Sequence, residues 1–171
     1  MKTLLIFLAL LGAALSCHRA GAQSPAPESP TEAQALTKQL NLLMRNPKKP
    51  KQDVTLTLKG CLGEQLIRDR GANVQTSTPL AFSFNHGNSG WAMRMDNGVF
   101  EMRMSFSWAD ITTLTYEPAT DDNGQKHFQI KLINHKKGNN TNFEMPLYTT
   151  DEATVKQLVA RLDKVRRSCG Q

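Results

Sequence analysis

Apolar residues follow three different patterns along this chain. Leu4 to Leu15 is a continuous apolar run behind Lys2. Leu36, Leu40 and Leu43 then recur at i, i+4 and i+7, which is one stripe of a helix and predicts a helix over residues 31–46. Thr31 with Gln34 fits a capping box at its start. Asn46-Pro47 ends it, because proline disfavours helical geometry at the residue before it. From Asp53 the period becomes two. Val54, Leu56 and Leu58 alternate with Thr55, Thr57 and Lys59, and Phe82 and Phe84 alternate with Ala81 and Ser83. The clearest strand is Val99–Trp108. Phe100, Met102, Met104, Phe106 and Trp108 point one way, and Glu101, Arg103, Ser105 and Ser107 the other. Trp91–Asp96, Ile111–Glu117, His127–Ile133 and Asn142–Tyr148 read as further strands.

The connections are short and rich in turn formers. Asp96-Asn97-Gly98 and Asp121-Asp122-Asn123-Gly124 are hairpin signals, because tight hairpin turns need positive φ. The sheet is therefore expected to be antiparallel. Val155, Leu158, Val159, Leu162 and Val165 form the stripe of a last helix, with Thr149 and Glu152 as a second capping box. The expected fold class is α+β. An N-terminal helix precedes a six- or seven-stranded antiparallel sheet or roll, which a C-terminal amphipathic helix caps.

The apolar run at the start is too short to span a bilayer and reads as an export signal, residues 1–22. Ala20-Gly21-Ala22 is an A-x-A site that leaves Gln23 as the new N-terminus. A second site competes. Leu15-Ser16-Cys17 resembles a bacterial lipobox, in which Cys17 is lipidated, although Ala14 stands where that pattern has Leu, Val or Ile. Residues 23–30 (QSPAPESP) are a Pro/Ser-rich tether, and residues 47–52 a basic linker read as a solvated spacer. Residues 53–169 make the main domain. The expected location is periplasmic or secreted, with a membrane-anchored lipoprotein as the alternative.

Export changes how the composition reads. The 171 residues carry 21 Lys and Arg against 15 Asp and Glu, a net +6. With the A-x-A cut Lys2 and Arg19 leave with the signal, so the processed chain keeps a net +4. Three cysteines are too few for a disulfide scaffold. With Cys17 removed or acylated, Cys61 and Cys169 remain as a pair. In an oxidising compartment a pair suggests a disulfide that pins the last helix to the strand ending near Cys61; two separate thiols are the alternative.

Candidate chemistry is sparse. Gly87-Asn88-Ser89-Gly90 resembles the nucleophile loop of trypsin-like proteases, but no His and Asp stand at suitable positions upstream, and a turn explains it. His86, His127 and His135 show no helical i, i+4 spacing, and neither CxxC nor HExxH occurs. Asp121-Asp122 and Asp151-Glu152 are explained by a turn and a helix first turn. Asn139-Asn140-Thr141 is a glycosylation sequon, relevant only in a eukaryotic source. No cofactor, metal or nucleic-acid site is expected. Met93, Met95, Met102 and Met104 are the most unusual feature. Methionine adapts to irregular cores and to promiscuous binding surfaces alike.

Short antiparallel strands followed by one amphipathic helix are similar to the order of the pleckstrin-homology-like (PH-like) superfold. Phe106-Ser107-Trp108-Ala109-Asp110-Ile111 resembles the W-x-D-I passage between strands of bacterial PH-like and GRAM-like domains. The resemblance covers Asp53 to Ser168 and implies a bent sheet plugged at one end by the helix. Lipid-binding PH domains carry a basic cluster after the first strand; Gly60-Cys61-Leu62-Gly63-Glu64 has none, so phosphoinositide binding is not implied. A lipocalin-like barrel and an open sheet packed by both helices are the other architectures the pattern allows. The expected activity is a non-catalytic exported module that binds an envelope or extracellular protein. The alternative is a carrier of a small apolar ligand on the face of Met102, Met104, Phe106 and Trp108. Contact with the membrane is expected only through an anchor at Cys17.

Overall fold

A computed structural model describes residues 30–86, 89–136 and 139–170. The signal segment, Cys17 and the tether up to Ser29 lie outside the described residues. The first element is helix α1 (Pro30–Leu43). Eight strands follow: β1 (Gln52–Lys59), β2 (Leu62–Asp69), β3 (Leu80–His86), β4 (Ser89–Asp96), β5 (Val99–Ser107), β6 (Ile111–Thr120), β7 (Lys126–Lys136) and β8 (Asn139–Leu147). Helix α2 (Glu152–Cys169) closes the chain. The strands form a five-stranded sheet in the order β1-β2-β5-β4-β3 and a three-stranded sheet in the order β6-β7-β8. Every pairing is antiparallel. The fold is thus α+β with a helix at each end.

The strand count exceeds the expected six or seven because β2 does not look like a strand in sequence. Its core-facing positions include Gly63 and Gln65, and Leu66 points the other way. Both exceptions have a packing reason. The ring of Phe106 lies on Gly63, where an added Cβ would come within 2.4 Å of the ring. Gln65 is 1% exposed, and its Nε2 donates to the Glu144 carbonyl across the two sheets at 3.1 Å. The turn between β1 and β2 is Gly60-Cys61. Gly60 has φ +57°, which an L side chain resists, and glycine relieves that strain.

A one-turn 3-10 segment, Trp108–Asp110, carries the chain from the larger sheet to the smaller. Its first residue is anchored through both backbone and side chain. The Trp108 N–H donates to the Cys61 carbonyl at 2.9 Å, and its ring meets Phe106 edge to face at 5.2 Å. The core fills the space between the sheets and the helices. Leu36 and Leu40 from α1, Leu56 from β1, Leu132 from β7, Met145 from β8 and Leu158 and Leu162 from α2 are all fully buried. Each such side chain contributes about 1.5–3 kcal/mol of transfer free energy.

The two helices are tied to each other as well as to the sheets. Arg161 of α2 donates from Nε to Glu32 and from Nη1 to Gln39 of α1, both at 2.8 Å. The N-cap of α2 is Asp151, not the expected Thr149. Its carboxylate accepts from the N–H groups of Ala153 and Thr154, while Thr149 Oγ1 accepts from the Asp151 N–H. At the other end, Cys61 and Cys169 form a disulfide that closes a span of 108 residues. It joins the β1–β2 turn to the last turn of α2. Such a bond suits the oxidising conditions of an extracellular or periplasmic space. Among the described residues no helix is long and apolar enough to cross a membrane.

Candidate interaction surface

Strands β3, β4 and β5 are consecutive in sequence and antiparallel neighbours in the sheet, so their side chains fall into register without long-range help. The β4–β5 turn is Asn97-Gly98, with φ +30° and +78°, the two positive values a tight hairpin requires. Directly paired residues share a face of a sheet. Leu80 pairs with Met95, Phe82 with Met93 and Phe84 with Trp91. Met95 in turn pairs with Phe100, Met93 with Met102 and Trp91 with Met104. Three strands and three rungs therefore make a grid of nine apolar side chains with no polar residue among them.

This grid continues the core. Phe106, two residues beyond Met104 on the same face of β5, is fully buried, and Met104 packs partly against the core. The cover stops there. Exposure reaches 39% at Trp91, 43% at Leu80, 50% at Phe84 and 52% at Phe82. The three aromatics alone present roughly 300 Å² to solvent, taking about 200 Å² for a whole aromatic side chain. A patch of this size, with its partly exposed neighbours, falls within the ~300–600 Å² of the largest patches that monomers expose, which are often functional.

The opposite face of β5 is polar and tied to β2 by charge. Arg68 donates to Glu101 Oε2 from Nε at 2.9 Å and from Nη2 at 2.6 Å. Arg103 reaches Glu64 at 3.5 Å. The Arg68 hydrogen bond holds the Glu101 carboxyl below its usual range. Two charged pairs thus tie β2 to β5 beneath the grid, on the face away from the core.

The residues expected as one binding face divide between these regions. Met102 and Met104 belong to the grid, half-buried, whereas Phe106 and Trp108 are fully buried core residues. Leu80, Phe82, Phe84, Trp91, Met93, Met95 and Phe100 complete the surface. Their common signal is alternation of one parity in three consecutive strands joined by short turns. A second signal is charge. No Asp, Glu, Lys or Arg occurs between Arg70 and Arg94, in a chain that is 21% charged.

A separate groove of about 870 Å³ runs between α1, β1 and the end of α2. Ala33, Thr37, Leu58, Val165 and the disulfide line it, with Lys38 and Lys59 at exposed positions. His127 and Asp121 have local roles, whereas the side chains of His86 and His135 lie outside the described residues. His127 is buried, with its ring 5.2 Å from that of Tyr148. Asp121 accepts from the N–H groups of Gln125 and Asn123, which holds its carboxyl below the usual range. Among the described residues, no three His, Cys, Asp or Glu side chains converge on a metal-sized site. Comparison of the chain with family models, with curated proteins and with solved structures returns no match.

Proposed function

We propose that this chain is a non-catalytic, exported binding module of the cell envelope that presents the apolar grid to a protein partner. The grid carries the reading, because its outer residues Leu80, Phe82, Phe84 and Trp91 stand uncovered and uncharged beside a filled core. The methionines of β4 and β5 let such a surface repack against differently shaped partners. The disulfide supports an oxidising destination. Sheets followed by a closing helix, with the Trp108–Asp110 turn between them, support the PH-like reading of the roll. Fold alone assigns no ligand, so the partner must be sought through the surface.

Site-specific photo-crosslinking in the native host tests this. A crosslinker at Phe84 should give an envelope-protein adduct whose mass is not a multiple of the chain, and one at Ala92, on the opposite face, should not. Equal labelling from both faces, or none from Phe84, refutes the reading. The groove beside α1 favours a second reading, transport of a small apolar ligand, because its volume lies in the range of ligand sites. Lipid retained in native mass spectra supports that reading. Protein that stays at its bare mass after lipid is added refutes it.

A further inference from the structure

We infer that the outer edge of β3 pairs with β3 of a second copy of this chain, antiparallel about a twofold axis. The two five-stranded sheets would then join into one sheet of ten strands. This inference stands apart from whatever the grid binds.

The pattern of exposure locates the missing neighbour. On β5 the grid residues are half-buried, on β4 Trp91 is 39% exposed, and on β3 Phe82 and Phe84 reach 52% and 50%. Exposure therefore rises toward the free edge. Among the described residues no strand lies beside that edge. Edge strands usually carry a lysine, a proline or a bulge that blocks pairing. Strand β3 (LAFSFNH) has none of these, and its register with β4 runs unbroken from Leu80–Met95 to His86–Ser89.

The sequence of β3 matches its own edge. A strand that completes it must set apolar residues on the grid side and small polar ones on the other. Leu80-Ala81-Phe82-Ser83-Phe84-Asn85 has that alternation. Antiparallel pairing that sets Phe82 opposite Phe82 also sets Leu80 opposite Phe84, and all remain on one face. A twofold contact brings each charge near its own copy, so a charged strand would repel itself. This one lies inside the stretch from Gly71 to Met93, which holds no Asp, Glu, Lys or Arg. Seven residues at ~3.4 Å each give an edge of ~24 Å. On a sheet ~10 Å thick such an edge buries roughly 500–1,000 Å² in total, at the lower limit for a specific interface, so the dimer is weak and reversible.

Sedimentation velocity on the oxidised full chain tests this between about 1 and about 200 μM. The expected result is a twofold rise in mass across that range. Phe82→Lys and Phe82→Glu should each stay at the mass of one chain, and an equimolar mixture of the two should recover the doubled mass. Trp91→Lys, on the grid but away from the edge, should still dimerise. Unchanged far-UV circular dichroism and an intact disulfide show that each variant is folded. Wild-type protein at the mass of one chain throughout overturns the inference. So do Phe82 variants that dimerise alone, or a mixture that stays at one chain. Loss of the dimer in Trp91→Lys with its retention in Phe82→Lys also overturns it, and points to stacked faces.

Discussion

Breaking the Cys61–Cys169 bond should remove a large part of the stability of this domain. The perturbation is Cys61→Ser with Cys169→Ser, or reduction of the wild-type protein. The bond spans 108 residues. In the chain-entropy account, a loop of that length destabilises the unfolded state by about 4.8 kcal/mol at 25 °C. Domains are typically stable by about 5–15 kcal/mol, so a third or more of the total is at stake. A local effect adds to this. The bond holds the last turn of α2 over the β1–β2 turn, whose Cys61 carbonyl accepts from Trp108 N–H. Urea unfolding followed by tryptophan fluorescence, with and without reductant, measures the difference. The midpoint should fall by the equivalent of about 4–5 kcal/mol. The slope should rise as well, because an uncrosslinked chain exposes more surface on unfolding. A loss below about 1 kcal/mol, at unchanged slope, would refute the argument that the bond acts by restricting the unfolded chain.

The two phenylalanines that share the inner face give unequal expectations. Phe106→Ala should cost about 3–5 kcal/mol, and the half-exposed Phe82→Ala no more than about 2 kcal/mol, as read from denaturant midpoints. Gly63→Ala should destabilise by about 1–3 kcal/mol through overpacking against Phe106; a neutral result would show that this ring moves freely. Trp108 is buried and Trp91 is not, so Trp91→Phe should leave a blue-shifted emission that acrylamide barely quenches. The Asp151 carboxyl is held below its usual range, first by the Thr154 hydroxyl and then by backbone N–H groups. A depressed folded value stabilises above the unfolded pKa, and that stabilisation is lost as pH falls through the folded one. Helix α2 should therefore loosen in acid below about pH 4. Asp151→Asn, which still caps but does not titrate, should reduce this acid dependence in hydrogen exchange of the first turn.

Local signals in the sequence locate most of the elements. Period-two alternation marks β1, β3, β4, β5 and β7, and the Asn97-Gly98 turn is written in two residues. What escapes is structure that depends on a distant partner. Strand β2 fails the pattern because Gly63 is shaped by the Phe106 ring and Gln65 by the Glu144 carbonyl, 43 and 79 positions away. The cap of α2 shows the same limit at short range. Thr149 and Asp151 both suit a cap, and the carboxylate takes the two helix N–H groups while the hydroxyl takes the Asp151 N–H.

The candidate surface is the hardest to read for a related reason. Alternation reports which side chains share a face, not what covers that face. Along β5 the inner positions Phe100, Met102, Met104 and Phe106 belong to one uninterrupted pattern. Only packing divides it. Phe106 lies under Phe143 of the second sheet, with ring centres 4.8 Å apart, and Met104 packs at the rim, whereas Phe100 and Met102 extend past that cover. The smaller sheet has three strands and the larger has five, so part of the larger face has no counterpart. A chain that needed only a core would place polar residues on the surplus strands. This one keeps Leu80, Phe82 and Phe84 there and leaves out charge from Gly71 to Met93. The mismatch between sheet widths makes the surface, and the composition of the surplus strands makes it apolar. Shortening the surplus should therefore leave the core intact. Replacing Leu80, Phe82 and Phe84 together with threonine should lower the unfolding midpoint far less than Phe106→Ala does per side chain and abolish binding of a hydrophobic dye, and a collapse of the midpoint would show that these strands belong to the core after all.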